Sequence, residues 1–300
     1  MKRKHQQLKV QEIPIPPGAK HPPLPKGDGI LPGHEFTMGI IAPKGSGKTT
    51  TIANLLMFYK GYFNSIYVFS PTINSDEKWD FIKRQKLLSK NTRLEKWMEK
   101  MRKKAKDKDA VVKPINPAAE IEQFIPKQDK EFDGTIPDEN YFHEYNEKVL
   151  MEIIQDQKAL VDILKSHGET KHTAHRILIV LDDMVGSDLF SNRRDNFFKM
   201  LNANHRHSSL SMIMVTQAYN EIPRTVRTQF SSCIIFEIPN EKEVEVVYKE
   251  QPVGMKMKDW LEVYDYCTAD DYSFMFINYQ KPKRLRVMKK FDQYVFIEKE

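Results

Sequence analysis

T-M-G-I-I-A-P-K-G-S-G-K-T-T-T-I-A-N-L-L-M-F-Y, residues Thr37 to Tyr59, is the stretch whose reading decides the fold. Met38 to Ile41 reads as a short apolar strand, Ala42 to Gly47 as a turn loop, and a helix opens at Lys48. The loop Ala42-Pro43-Lys44-Gly45-Ser46-Gly47-Lys48-Thr49 fits the phosphate-binding pattern G-x-x-x-x-G-K-[ST], with Ala42 at the first glycine position. Gly45 and Gly47 allow the positive φ that curls a backbone round a phosphate. The helix start then aims free N–H groups and its dipole at the anion. On this reading Ala42 to Thr50 cradle a nucleotide, Lys48 reaches its β and γ phosphates, and the Thr49 hydroxyl holds Mg²⁺.

Downstream, Ser65 to Phe69 (S-I-Y-V-F) predicts a buried strand ending at Ser70-Pro71-Thr72, with Gly61 as a helix stop before it. Strand, loop, helix, strand is the pattern of a parallel sheet. Arg176 to Leu181 (R-I-L-I-V-L) predicts a strand buried on both faces, and it delivers Asp182-Asp183 at its tip. A carboxylate there is the expected second half of a nucleotide site: Asp182 on the metal, Asp183 on the attacking water. A helix is expected over Asp188 to Ala203. The next strand, Leu210 to Val215, ends in Thr216-Gln217, which places Gln217 where it could touch both a γ-phosphate and water. Ser232 to Ile238 predicts a further strand, Glu241 to Glu250 a helix, and Tyr272 to Met288 a closing β-hairpin.

The rest of the chain is more polar. Hydrophobic residues make up 40% of the 300, enough for a core, yet 29% are charged, which predicts a polar appendage on a globular domain. Residues 1–33 hold seven of the seventeen prolines and predict an extended arm. Residues 34–300 form the expected main domain, with an insertion over roughly 76–170. From Lys83 to Lys108 there are twelve Lys or Arg against three acids, with Leu87, Leu94, Trp97, Met98 and Met101 near helical spacing. From 120 to 169 the balance reverses, thirteen acids against five, with Phe142, Tyr145, Val149, Ile153, Leu160 and Leu164 suggesting another helix. Three readings of the charge stay open here: solvated faces, contact with a nucleic-acid backbone, or pairing of the two halves.

A net charge of +6 leans toward polyanionic partners. Two cysteines, Cys233 and Cys267, exclude a disulfide framework and suggest a reducing, intracellular setting. No apolar run is long enough for a bilayer, and no apolar core follows the basic N-terminus, so neither membrane insertion nor a secretory signal is expected. His172, His175, His205 and His207 are expected in loops, as surface or supporting groups rather than zinc ligands.

The pieces A-P-K-G-S-G-K-T-T, Y-V-F-S-P-T, I-V-L-D-D-M, N-H-R-H-S-S and M-V-T-Q, with Arg206 eleven residues before Gln217, resemble the FtsK–HerA class of ring-forming DNA-pumping ATPases. Within it the likeness is to the poxvirus-type genome-packaging ATPases of large DNA viruses and virophages. It covers residues 34 to about 79 and 174 to about 291. The resemblance implies a RecA-like α/β P-loop fold, a mostly parallel sheet with a C-terminal hairpin and a charged helical insertion. It implies Mg²⁺-dependent ATP hydrolysis by a homo-oligomeric ring, a pentamer or hexamer, that drives double-stranded DNA into a capsid through a capsid or vertex protein. Host cytoplasm at viral assembly sites, with virion association, is the implied location. Arg206 becomes a finger for the neighbouring subunit's site. Asp183 stands where cellular members of the class commonly have Glu, one methylene longer. The rivals are a cellular or conjugative DNA translocase, a nucleotide or nucleoside kinase, and a non-hydrolysing DNA-binding protein locked by nucleotide.

Overall fold

The computed structural model describes residues 25, 29–105, 117–124, 132–184 and 205–297. The helix expected over 188–203 and most of the proline-rich arm lie outside them.

Apolar runs bounded by turns become strands with both faces covered. They are β1 (Thr37–Ile41), β2 (Ser65–Phe69), β3 (Tyr141–Phe142), β4 (Ile177–Asp182), β5 (Leu210–Thr216), β6 (Ser232–Phe236), β7 (Phe274–Asn278), β8 (Val287–Lys289) and β9 (Gln293–Tyr294). Among the described residues they form one sheet in the order β3-β2-β4-β5-β1-β6-β7-β8-β9. The strands from β3 to β6 in that order are parallel, and β7, β8 and β9 are added antiparallel. Alternate side chains feed two cores, one on each face. Met38, Ile40, Leu178, Val180 and Ile213 go to one, and Ile41, Ile179, Leu181, Met212 and Met214 to the other. The first core is roofed by α1 (Lys48–Phe58) and α2 (Glu77–Lys83), the second by α5 (Glu147–Ser166), α6 (Glu241–Glu250) and α7 (Met257–Thr268). This is an α/β three-layer fold with a mostly parallel sheet, as the sequence predicted.

β1 carries Gly39 because nothing larger fits: a Cβ there would fall 2.2 Å from the Phe230 ring. The closing hairpin is longer at its turn than expected, because a 3-10 turn over Lys283–Leu285 delays the second strand to Val287.

The 76–170 stretch differs from its expected reading in detail. The basic segment divides into α2 and α3 (Thr92–Ala105), and Leu87 in the connection packs into the α1 core. α3, α4 (Pro117–Glu122) and the C-terminal half of α5 enclose a small third core around Leu94, Trp97, Ile121, Leu160 and Leu164. On α5 the buried stripe includes Leu150, Ile154 and Val161, while Val149 and Ile153 are only half-buried. Residues of this stretch also enter the main fold, since β3 is an edge strand and Leu150 and Ile154 lie in the main core. Opposite charges of the two halves meet where Arg102 pairs with Glu122 and Arg93 approaches Glu169 at 4.0 Å.

The end of the proline-rich segment is docked. Leu31 is buried, the Tyr59 hydroxyl donates to the Pro32 carbonyl at 2.9 Å, and the Gly33 N–H donates to Gln280 Oε1 at 3.0 Å. The last residues of the expected arm, 29–33, are thus packed against the main domain. His175 and His205 are buried rather than on the surface. No helix among the described residues is long and apolar enough to cross a membrane.

Candidate nucleotide site

Parallel strands align their C-terminal ends on one edge of the sheet, and loops leaving that edge form the site. β1 enters the loop, where Ala42 is buried and its N–H donates to the Thr216 carbonyl at 2.9 Å, tying the loop to the end of β5. Ser46 folds back on Pro43, its N–H and hydroxyl both donating to that carbonyl at 3.2 and 2.7 Å. Gly45 and Gly47 have φ of 85° and 96°, conformations that disfavour a side chain. No side chain caps α1 and no acid lies in its first turn, so its N-terminus presents positive potential to the loop.

β4 brings Asp182 and Asp183 to the same edge. Asp182 is 2% exposed, and burial pushes its carboxyl up to about 6. Its Oδ2 accepts from the Ser70 hydroxyl at 2.7 Å, at the tip of neighbouring β2. Ser70 is held in turn by Thr72, with their hydroxyl oxygens 3.0 Å apart, and Trp79 Nε1–H donates to the Thr72 hydroxyl at 3.1 Å. The other oxygen, Asp182 Oδ1, is buried without a hydrogen-bond partner. Asp76 caps α2, accepting from the Lys78 N–H at 3.0 Å, and the Thr49 hydroxyl lies close to its carboxylate. Burial raises the Asp76 pKa, but the Lys78 N–H and the Thr49 hydroxyl outweigh it and hold the group below the usual carboxylate range.

Asp183 turns the other way, with a φ of 51°. Its Oδ2 pairs with Lys48 Nζ at 2.9 Å, and the Gln217 amide donates to Oδ1 and Oδ2 at 3.1 and 2.9 Å. Lys48, from the start of α1, and Gln217, from the tip of β5, thus meet at the Asp183 carboxylate beyond β4. Lys48 spends its charge on Asp183 in this arrangement, not on the loop.

The donor set suits Mg²⁺. It consists of oxygens only, and Asp182 Oδ1 is a buried acceptor lacking a proton donor. Among the described residues no three His, Cys, Asp or Glu side chains cluster tightly enough to hold a metal alone. Mg²⁺ at a phosphate loop needs only a hydroxyl and a carboxylate, because phosphate and water complete its shell.

Arg206 is not brought to this cluster. It lies in a 3-10 turn (His205–Ser208) before β5, exposed, with its carbonyl accepting from Lys171 Nζ at 2.7 Å. The seven residues of β5 separate it from Gln217 by roughly 20 Å. Arg227 belongs to the basic run Ile222 to Arg227 (I-P-R-T-V-R), expected as a loop but closed by the short helix Arg224–Arg227, and it is used structurally, paired with Glu250 at 2.6 Å with its guanidinium over the Tyr219 ring. Sequence reasoning missed Ser70 and Asp76. Their one signal was the polar run that follows β2.

The Poxvirus A32 protein family model matches residues 119–278, more than half of the chain and downstream of the phosphate loop. Among solved structures, the genome packaging NTPase B204 from Sulfolobus turreted icosahedral virus 2 in complex with AMP is similar at 13% identity and a TM-score of 0.49, over 85% of this chain and 96% of that one. The pCW3 conjugation coupling protein TcpA, with ATPγS, is similar at 10% identity and a TM-score of 0.39, over 81% and 57%. EssC (ATPases 2 and 3) from Geobacillus thermodenitrificans is similar at 14% identity and 0.41, over 85% and 39%. No curated protein matches the chain in sequence.

Proposed function

The chain belongs to the Poxvirus A32 protein family and is an ATPase; on that premise we propose that it is the motor that drives double-stranded viral DNA into a preformed capsid, acting as a homo-oligomeric ring at assembly sites in the host cytoplasm. The observation that carries the reading is the Lys48–Asp183–Gln217 cluster beside the phosphate loop.

An arriving γ-phosphate competes with Asp183 for Lys48. As Lys48 turns to the phosphate, Asp183 is released to accept a hydrogen bond from the attacking water and to orient it. Gln217, bound to both Asp183 oxygens, must change partners at the same moment, which makes it the reporter of γ-phosphate occupancy. Thr49, Asp182 and Asp76 would hold Mg²⁺, which supplies charge neutralisation at the β and γ oxygens. The relay from Trp79 through Thr72 and Ser70 keeps Asp182 in place.

Arg206 lies too far from its own phosphate loop to act there, which supports a role at the neighbouring subunit's site in a ring. For DNA, α3 presents Lys96, Lys100 and Lys104, exposed and four residues apart, so they share one face of the helix. The Ile222 to Arg227 segment is a weaker candidate, because Arg227 is committed to Glu250.

The test is ATP hydrolysis with and without double-stranded DNA, for the wild type, Lys48→Ala and Arg206→Ala, with oligomeric state recorded. DNA-stimulated turnover is expected, lost by roughly 10³-fold in each variant and partly restored on mixing the two. Turnover indifferent to DNA and to Arg206→Ala would refute the motor.

A further inference from the structure

The phosphate loop lines one end of a cleft of 740 Å³ that extends beyond it to Phe58, Tyr272 and Phe291. The γ-phosphate end of a nucleotide belongs with Asp182, Asp183 and Gln217. Its α-phosphate must therefore leave past Thr50, and the cleft opens there. Thr50, Asn54 and Phe58 form one stripe along α1, about 12 Å long, and make the floor. The opposite wall is Phe291, which meets Phe58 edge to face with centroids 5.6 Å apart.

Tyr272 stands at the mouth. It is 69% exposed, yet its Cδ1 is only 3.3 Å from where a Gly47 Cβ would sit. Tyr272 and Lys290, both lining the cleft, have φ of 55° and 52°, in the left-handed region that non-glycine residues avoid. Such strain collects at ligand clamps. The two faces of Tyr272 differ. The cleft described here is lined by Lys78 and Lys290 and by no carboxylate. A second cleft of 450 Å³ that Tyr272 also lines carries Glu237, Asp270 and Asp271 against Lys44, a net negative lining that disfavours a nucleotide.

We propose that the cleft between α1, Tyr272 and Phe291 seats the base and ribose of the bound nucleotide, with Tyr272 as the stacking face, and that it takes purines with little discrimination between adenine and guanine. This rests on the reading of the loop as an ATP site. Stacking recognises a π-face whatever the base, and larger rings stack more strongly. Strong discrimination requires polar groups that the wrong base leaves unpaired. The lining offers no carboxylate for the guanine N1–H and 2-amino group, and Asn54 already donates its amide to the Thr50 carbonyl.

Calorimetric titration of ATP, GTP, CTP and inorganic tripolyphosphate into the full chain tests this, using the wild type, Tyr272→Ala and Tyr272→Phe. ATP and GTP are expected to bind within about five-fold of each other, and CTP more weakly. Tyr272→Ala is expected to weaken ATP roughly ten-fold and leave tripolyphosphate unchanged, and Tyr272→Phe to restore ATP. Tyr272→Ala binding ATP like the wild type, or losing tripolyphosphate equally, would overturn the base site. So would ATP binding no tighter than tripolyphosphate, with the phosphate-loop reading intact. Failure of the wild type to bind either compound would overturn both.

Discussion

Asp183→Asn should tighten nucleotide binding while removing most turnover. Lys48 and Asp183 are 2.9 Å apart, with side chains 15% and 21% exposed. At an effective dielectric of about 20 the bare attraction is about 6 kcal/mol, and desolvation and residual water leave a net value of about 1–2 kcal/mol. A phosphate that recruits Lys48 must first displace that pairing. Asparagine keeps the shape, tolerates the φ of 51° and leaves Gln217 an oxygen to bond, but it lacks the charge. Kd for ATP should fall by roughly five- to thirty-fold. Hydrolysis should fall by about 10²–10⁴-fold if Asp183 is the carboxylate that orients water, as proposed. Titration calorimetry with ATP and a phosphate-release assay on the same preparation measure both. The double variant Lys48→Ala/Asp183→Asn should show no tightening over Lys48→Ala beyond the relief of phosphate repulsion. Unchanged or weaker ATP binding by Asp183→Asn, at an unaltered melting temperature, would refute the competition.

Gly39→Ala should destabilise the fold by about 1–3 kcal/mol in urea unfolding, because the new methyl meets the Phe230 ring deep in the sheet. Phe230→Leu added to it should recover part of the loss, and no recovery would place the clash elsewhere. His175 is buried, with neither ring nitrogen hydrogen-bonded, and burial lowers its pKa to about 4. The unfolded chain then binds more protons below about pH 6.5, so stability falls as pH falls, by about 2 kcal/mol for this group between pH 7 and 5. His175→Asn should shrink the difference in unfolding free energy between those two pH values by that amount. An unchanged difference would rule out His175 as the source. His34, held well below its ordinary pKa by burial and then by Arg176 and Lys171, acts in the same direction and remains in the variant.

The legible parts of the site were those that one strand and its tip encode. Asp182, Asp183 and Gln217 each sit within a residue or two of an apolar run, so the strand that carries them could be read together with their chemistry, while Lys48 and Thr49 were legible through the fixed spacing of the phosphate loop after β1. Ser70 and Asp76 could not be read that way. Their role depends on β2 lying beside β4, and strand order is set by long-range pairing that no local pattern records. The cleft beyond the loop was hidden for the same reason, since Tyr272 and Phe291 reach α1 only because β7 and β8 extend the sheet past β6. The charged stretch misled in a different way. Charge counts and loop prolines marked 76–170 as an insertion between two core strands, and they could not show that Leu150 and Ile154 belong to the main core, because a 20-residue helix can bury one stripe while its remaining surface stays charged.

The placement of Gln217 and Arg206 at opposite ends of β5 constrains how a proposed ring could pass signals. β5 is paired to β4 on one side and β1 on the other, and all seven of its residues are buried. Such a strand cannot slide alone without breaking two ladders at once. Its tip is fixed further, because Ala42 N–H and Asp183 N–H donate to the carbonyls of Thr216 and Val215. A change of partner at Gln217 is therefore absorbed by its side chain, or else it moves β1, β4 and β5 together. The second course carries the phosphate loop and Arg206 as one body, so γ-phosphate loss in one subunit would reposition the arginine offered to the next through a subunit rotation. Spin labels on the two ends of β5 within a single subunit should then keep a constant separation through the ATP cycle, while labels on β5 of neighbouring subunits change theirs; a changing separation within one subunit would refute the rigid strand.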